Sequence, residues 1–143
     1  MAYDYKQGFF KPRFPKKYIG DPTNIVYRSG WELKLMGRLD NDPNVVQWSS
    51  EEIVIPYKSP VDGRWHRYFV DFYVKNSNGD VLLVEVKPYK QTKPPEKQSK
   101  ITKKYITEVT AWGINEAKWK AATEYCLDRG WEFRLITEEH LGL

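Results

Sequence analysis

Four residues in this sequence have the types and spacing to do chemistry together: Glu32, Asp71, Glu85 and Lys87. Glu85 and Lys87 close the run Val81-Leu82-Leu83-Val84-Glu85-Val86-Lys87, which reads as a short buried strand. Alternate strand residues share a face, so Glu85 and Lys87 emerge side by side while Val84 and Val86 turn into apolar surroundings. Charges beside a hydrophobic strand are costly unless they are paired or bind something. Asp71 lies fourteen residues upstream in RWHRYFVDFYVK, an aromatic and β-branched run of a kind in which Asp is depleted. Glu32 lies in RSGWELKLMGRLD and shares a helical face with Leu35, Met36 and Leu39 rather than with Lys34 and Arg38. Three carboxylates converging on one point repel unless a cation sits among them. Such a set, Glu32, Asp71 and Glu85 with the backbone carbonyl of Val86, offers the oxygen ligands that suit Mg²⁺ or Mn²⁺. Lys87 would orient a water or stabilise charge building on phosphate. The chemistry supported is metal-assisted hydrolysis of a phosphodiester.

The elements that must position these residues follow from periodicity and turn signals. Residues 28–40 read as a helix ended by Asn41-Asp42-Pro43. Residues 45–57 read as two short strands, VVQWSS and EEIVIPY, followed by a turn at Pro60, Asp62 and Gly63. Residues 64–75 read as one long strand, with Phe69, Asp71 and Tyr73 on one face and Val70, Phe72 and Val74 on the other. The turn Asn76-Ser77-Asn78-Gly79 pairs 64–75 with 80–88 as an antiparallel hairpin, bringing Asp71 toward Glu85. Beyond Pro88 and Pro94-Pro95, a helix is expected over 97–111, with Ile101, Tyr105, Val109 and Trp112 as its apolar stripe. A second helix is expected over 115–129, capped by Asn115, stopped by Gly130 and burying Trp119, Ala122 and Cys126. WEFRLI at 131–136 is a last strand, and Thr137-Glu138-Glu139 opens a helical turn. The order implies an α/β fold with one central mixed sheet flanked by helices.

The chain has 143 residues, enough for one domain with a real core. Residues 1–24 hold three of the nine prolines and no steady period, and read as an extended basic and aromatic N-terminal arm. Residues 25–143 read as the single domain. In the arm Lys6, Lys11, Arg13, Lys16 and Lys17 alternate with Phe9, Phe10, Phe14 and Tyr18, a mixture that grips nucleic-acid phosphates and bases. The lysines from Lys87 to Lys104, with Lys90, Lys93 and Lys97 nearest the strand, form the most basic stretch. Formal net charge is +4, compatible with a DNA partner. The single cysteine, Cys126, excludes an internal disulfide and a Cys-based zinc cluster, and His66 and His140 are too scattered for a histidine site. No apolar run approaches the ~20 residues that span a membrane, and the first residues lack the apolar core of a signal peptide. A soluble intracellular protein is expected.

Asp71 followed by Glu85-Val86-Lys87 resembles the (P)D…(D/E)xK motif of the restriction-endonuclease-like superfamily, with Val70 where that motif has proline. Glu32 within Tyr27-Arg28-Ser29-Gly30-Trp31-Glu32 resembles the extra acidic residue of its first core helix. With IPY at 55–57, RYFVDF at 67–72, EVKP at 85–88, Thr92…Pro94-Pro95 and NEAKWKAA at 115–122, the sequence resembles the head completion nucleases of T-even-like tailed phages. The resemblance covers about residues 18–137. It implies a restriction-endonuclease-like core and a Mg²⁺-dependent DNA endonuclease acting in phage head completion and DNA packaging. Glu32, Asp71 and Glu85 would be metal ligands and Lys87 the catalytic lysine. Arg28, one helical turn before Glu32, would contact phosphate. DNA and phage head or portal proteins are the implied partners, in the host cytoplasm or with the virion, as a monomer or homodimer. Two other readings remain open: a non-enzymatic DNA-end or capsid-portal binding protein, and a junction-resolving nuclease.

Overall fold

Ser29 starts the first helix for a local reason. Its hydroxyl accepts the Glu32 amide at 3.1 Å, satisfying a donor that a helix N-terminus leaves open. The computed structural model describes residues 7–142, and in it this helix, α1, runs Gly30–Asn41. Lys6, with the rest of residues 1–6, and Leu143 lie outside the described residues.

Two short antiparallel strands precede α1: β1 (Gly8–Phe10) and β2 (Ile25–Tyr27). After it come β3 (Val45–Ser50), β4 (Val54–Lys58), β5 (Trp65–Phe69), β6 (Phe72–Asn76), β7 (Val81–Val86), the helix α2 (Lys103–Arg129) and β8 (Glu132–Ile136). The central sheet has the order β3-β6-β7-β8. Its first three strands are antiparallel neighbours, and β8 lies parallel to β7. A parallel return needs a crossover, and α2 supplies it. The expected mixed sheet between helices is therefore present. Val84, Val86, Phe72 and Val74 pack with Trp31, Met36 and Leu39 of α1. Leu83 and the half-buried Tyr73 pack with Trp119, Ala122 and Cys126 of α2.

Three expectations are corrected. The long strand over 64–75 is broken at Val70 and Asp71: β5 leaves the sheet to pair with β4, and the Val70 amide goes to the Ile53 carbonyl at 3.0 Å. The face alternation is therefore reset at the break. Val70 packs on the α2 side, Phe72 packs on the α1 side, and Phe69 is exposed. The two helices over 97–111 and 115–129 are one helix beginning at Lys103, with Asn115 in its interior. A single Gly113 costs only ~1 kcal/mol relative to Ala and does not break 27 residues of helix. Ile101 and Val109, expected to be core, are exposed, because the first half of α2 runs past the edge of the packed layer. Gly130 does end the helix, in the left-handed conformation (φ 71°) that a C-terminal glycine supplies.

Residues 7–24 lie against the domain. Tyr18 is buried edge-on to Trp48, with ring centroids 4.8 Å apart. The buried Asp40 carboxylate accepts the amides of Arg13 at 2.7 Å and Phe14 at 3.1 Å. Lys17 Nζ donates to the carbonyls of Leu39, Asp40 and Asp42 at 2.8–2.9 Å, closing the C-terminus of α1.

Candidate active site

The break at Asp71 is what builds the site. The β6–β7 register pairs Phe72 with Val84, so its continuation sets Asp71 opposite Glu85 and Val70 opposite Val86. Val70 has been drawn away to Ile53. The Val86 amide donates instead to Asp71 Oδ2 at 2.8 Å, so a side-chain carboxylate stands where a continuous strand would have offered a carbonyl. On its other side, the Asp71 carbonyl accepts the Glu51 amide at 3.1 Å. Asp71 is thus fixed between the ends of β3 and β7.

Glu85 points to the α2 face and is only 6% exposed. Its Oε2 accepts the indole N–H of Trp119 on α2. The Tyr68 hydroxyl lies beside the same carboxylate without completing a hydrogen bond. Burial, then the charges of Glu85 and Asp71, push the Tyr68 phenol far up. Lys87 follows at the strand end, half-buried, with its amide on the Ile136 carbonyl at 2.9 Å. Its ammonium forms no ion pair among the described residues. The Asp71 carboxyl is held well above the usual carboxylate range, first by burial and then by the Glu85 charge; the Val86 amide and Lys87 oppose the shift.

Glu32 comes from the opposite helix. Its carboxylate folds back on the start of α1, with Oε1 3.4 Å from the Arg28 amide and Oε2 3.4 Å from the Ser29 hydroxyl. Ser29 thus caps the helix, while the Glu32 carboxylate reaches past the Ser29 amide, which a capping box would use, to the Arg28 amide. Burial, and then the charge of Glu51, raise its pKa, against the Arg28 amide.

Residues 42–138 match the model of a family described as TnsA-like endonuclease N terminal. The chain belongs to the TnsA-like endonuclease family. The match spans Asp71, Glu85 and Lys87 and leaves Arg28 and Glu32 outside it. Over 145 residues, 99% of this chain and 95% of the relative, the sequence is also 41% identical to the Head completion nuclease of Enterobacteria phage T4. No solved structure matches it detectably. The TnsA-like endonuclease core is restriction-endonuclease-like, in agreement with the α/β sheet.

In this TnsA-like endonuclease the donor set suits a hard cation. Asp71 and Glu85 face each other across one strand pair, each with one oxygen held by a protein N–H. As placed, no group of three carboxylate, thiolate or imidazole donors among the described residues stands close enough to hold an ion. Glu85 is turned toward Trp119 and Glu32 toward its own helix.

Two residues at the site, Trp119 and Glu51, carry no functional signal in the sequence. Trp119 reads there as a core residue, yet its indole N–H holds Glu85. Glu51 has φ 55°, the left-handed region that non-glycine residues rarely enter. Its carboxylate pairs with the Arg28 guanidinium, whose pKa is raised first by that bond. Local sequence carries no signal for either contact, since Arg28 and Glu51 are 23 residues apart and Glu85 and Trp119 are 34 apart. Of the basic residues singled out, Lys90 lies in the 3-10 turn Tyr89–Thr92 just beyond Lys87, and Lys93 Nζ sits 4.8 Å over the Tyr89 ring. Lys97 and Lys16 are exposed. Lys17 is engaged at the far end of α1, roughly 12 Å along the helix from Glu32 at 1.5 Å per residue.

Proposed function

We propose that this protein is a Mg²⁺- or Mn²⁺-dependent DNA endonuclease that hydrolyses phosphodiester bonds during completion of a phage head. The observation that carries the reading is the strand pair itself. Asp71 stands opposite Glu85, locked by the Val86 amide, and Lys87 emerges beside them with no ion pair among the described residues. Asp71, Glu85 and the Val86 carbonyl would hold the cation, with Glu32 completing the set from α1. A bound divalent cation supplies Lewis-acid polarisation of a phosphoryl oxygen and makes a nucleophilic water accessible at neutral pH.

The chain's own groups do the rest. Lys87 donates to a non-bridging phosphate oxygen, meeting the charge that grows there in the transition state. Glu85, fixed by Trp119, and Asp71, fixed by Val86, would each keep a free oxygen in one orientation toward the cation. Arg28 contacts a neighbouring phosphate once released from Glu51. Lys16, Lys90, Lys93 and Lys97 neutralise the flanking backbone, while Lys17 serves the helix end first. The similarity to the phage T4 Head completion nuclease supports a role among head and portal proteins in the infected cell or the virion.

The test is cleavage of linear, nicked and branched DNA in Mg²⁺, with EDTA and with Lys87→Ala and Asp71→Ala. Metal-dependent cutting that disappears in both variants is expected. Undiminished cutting by either variant would overturn the assignment. A second reading, a DNA-end or portal binding protein, is favoured by the open spacing of the three carboxylates. It predicts salt-sensitive DNA binding without divalent metal and head completion retained by Glu85→Gln.

A further inference from the structure

Beyond Lys87 the chain turns away from the sheet and returns as the first half of α2, leaving a cleft of about 850 Å³ between the two. Tyr89, Lys90 and Lys93 line one side of it, and Lys104, Tyr105 and Trp112 line the other. None of Glu32, Asp71, Glu85 and Lys87 lines the cleft, but each wall leads back toward them. Tyr89 lies two residues past Lys87 in sequence. Trp112 meets Trp119 edge-on, with centroids 5.8 Å apart, and Trp119 holds Glu85. Seven lysines against one glutamate lie between Lys87 and Lys104, so the segment is strongly cationic even though Glu96 and Glu108 also reach the cleft. Tyr89 is 42% exposed and Tyr105 half-buried, while the half-buried Trp112 packs partly on the α2-side core.

We infer that this cleft seats an unpaired DNA strand leading to the scissile phosphate. Lysines meet its phosphates, and Tyr89 and Tyr105 stack on its bases, with Trp112 closing the inner end of the cleft. Only unpaired bases expose their faces to such rings. The volume falls in the ~300–1,000 Å³ range of small-ligand sites, the scale of about one or two nucleotides and far below a duplex. The substrate class is therefore duplex DNA with a single-stranded tail, flap or frayed end at the point of cutting. The cutting half of this inference rests on the proposed nuclease activity, while strand binding does not.

The experiment separates the two. Binding of fluorescent oligo-dT and of a blunt duplex is measured in EDTA, and cleavage of blunt and tailed duplexes is measured in Mg²⁺. Wild type is expected to prefer oligo-dT and to cut the tailed duplex faster. Tyr89→Ala combined with Tyr105→Ala is expected to lose roughly tenfold or more in oligo-dT binding, as loss of a base stack does. It should also lose the tailed advantage, with blunt-duplex cleavage and melting temperature unchanged. Tyr89→Trp, which keeps a stacking face, is expected to retain binding. Equal treatment of blunt and tailed DNA by wild type, with oligo-dT binding indifferent to the tyrosines, would overturn the cleft while leaving the nuclease standing. Tyrosine-dependent oligo-dT binding without any cleavage would sink the nuclease reading and support the cleft.

Discussion

Val84 and Val86 turn to the α1 face of β7, and Leu83 and Glu85 turn to the α2 face. From one strand come two different interiors. The α1 interior is a closed apolar cluster around Trp48, Phe72 and Met36, all at 0% exposure. Among the described residues it leaves the Trp48 indole N–H without a hydrogen-bond partner. The α2 interior is built from aromatics with polar ends, and it encloses a carboxylate. Trp119 donates to Glu85, the Tyr68 hydroxyl stands beside it, and Lys118 Nζ lies 5.5 Å over the Tyr68 ring. A buried carboxylate must be met by donors or neutralised. The α2 interior therefore gives up apolar packing to hold one charge in place, while the α1 interior supplies stability.

That contrast can be broken or sharpened by four measurements. The largest effect is expected on the apolar side. Phe72→Ala empties a fully buried ring and should cost about 3–5 kcal/mol in denaturant unfolding, with nuclease activity per folded molecule largely kept. If activity falls much further than the folded fraction does, the division between the faces is wrong. On the other side, Lys87→Ala should lower kcat for DNA cleavage by roughly 10²–10³-fold, the scale of losing one transition-state donor, with little change in unfolding. Next comes Trp119→Phe, which keeps a ring and deletes the indole donor. An activity loss on the order of tenfold is expected, with a raised Mg²⁺ requirement that excess metal partly restores. An unchanged Mg²⁺ titration would show that the indole only fills space.

The smallest effect concerns pH. The folded carboxyl of Asp71 titrates well above its unfolded value. The folded state then holds a proton that the unfolded chain has already released. Metal-free stability from this group is full below the unfolded value near 4 and is lost as pH rises through the folded value. Asp71→Asn removes the charge and can still accept from Val86. Its melting temperature should match wild type at acid pH and exceed it by about 2–4 °C at neutral pH without metal. Saturating Mg²⁺ should shrink or reverse the gap. A gap independent of pH would mean that the carboxylate charge is not the cause.

Much of the site was legible before the fold. The period of two along Val81–Lys87 placed Glu85 and Lys87 on one face, and the Asn76–Gly79 turn was enough to bring Asp71 across. Helical spacing turns Glu32 toward the core face. The structure finds it half-buried, but folded back on the start of its own helix, against the Arg28 amide and the Ser29 hydroxyl. The break at Asp71 was not legible. RWHRYFVDFYVK has the composition of a single strand throughout, and only the competing claim of Ile53 on the Val70 amide ends it. The continuity of α2 is hidden in the sequence because Gly113 and Asn115 look like punctuation, while their local cost is small beside that of breaking a long helix.

By itself the sequence determined the mixed α/β sheet, most of its strands and the first helix, and it singled out four residues whose types suit metal-assisted work. Those follow from periodicity, turn residues and functional-group inventory, all of which are local. Tertiary structure alone decided that β5 leaves the sheet, that Trp119 and not solvent meets Glu85, that Glu51 reaches Arg28, and that Lys17 is spent on a helix end. Each of these joins residues far apart in the chain. Which distant donor reaches a buried charge depends on how whole elements pack, and no local pattern records it.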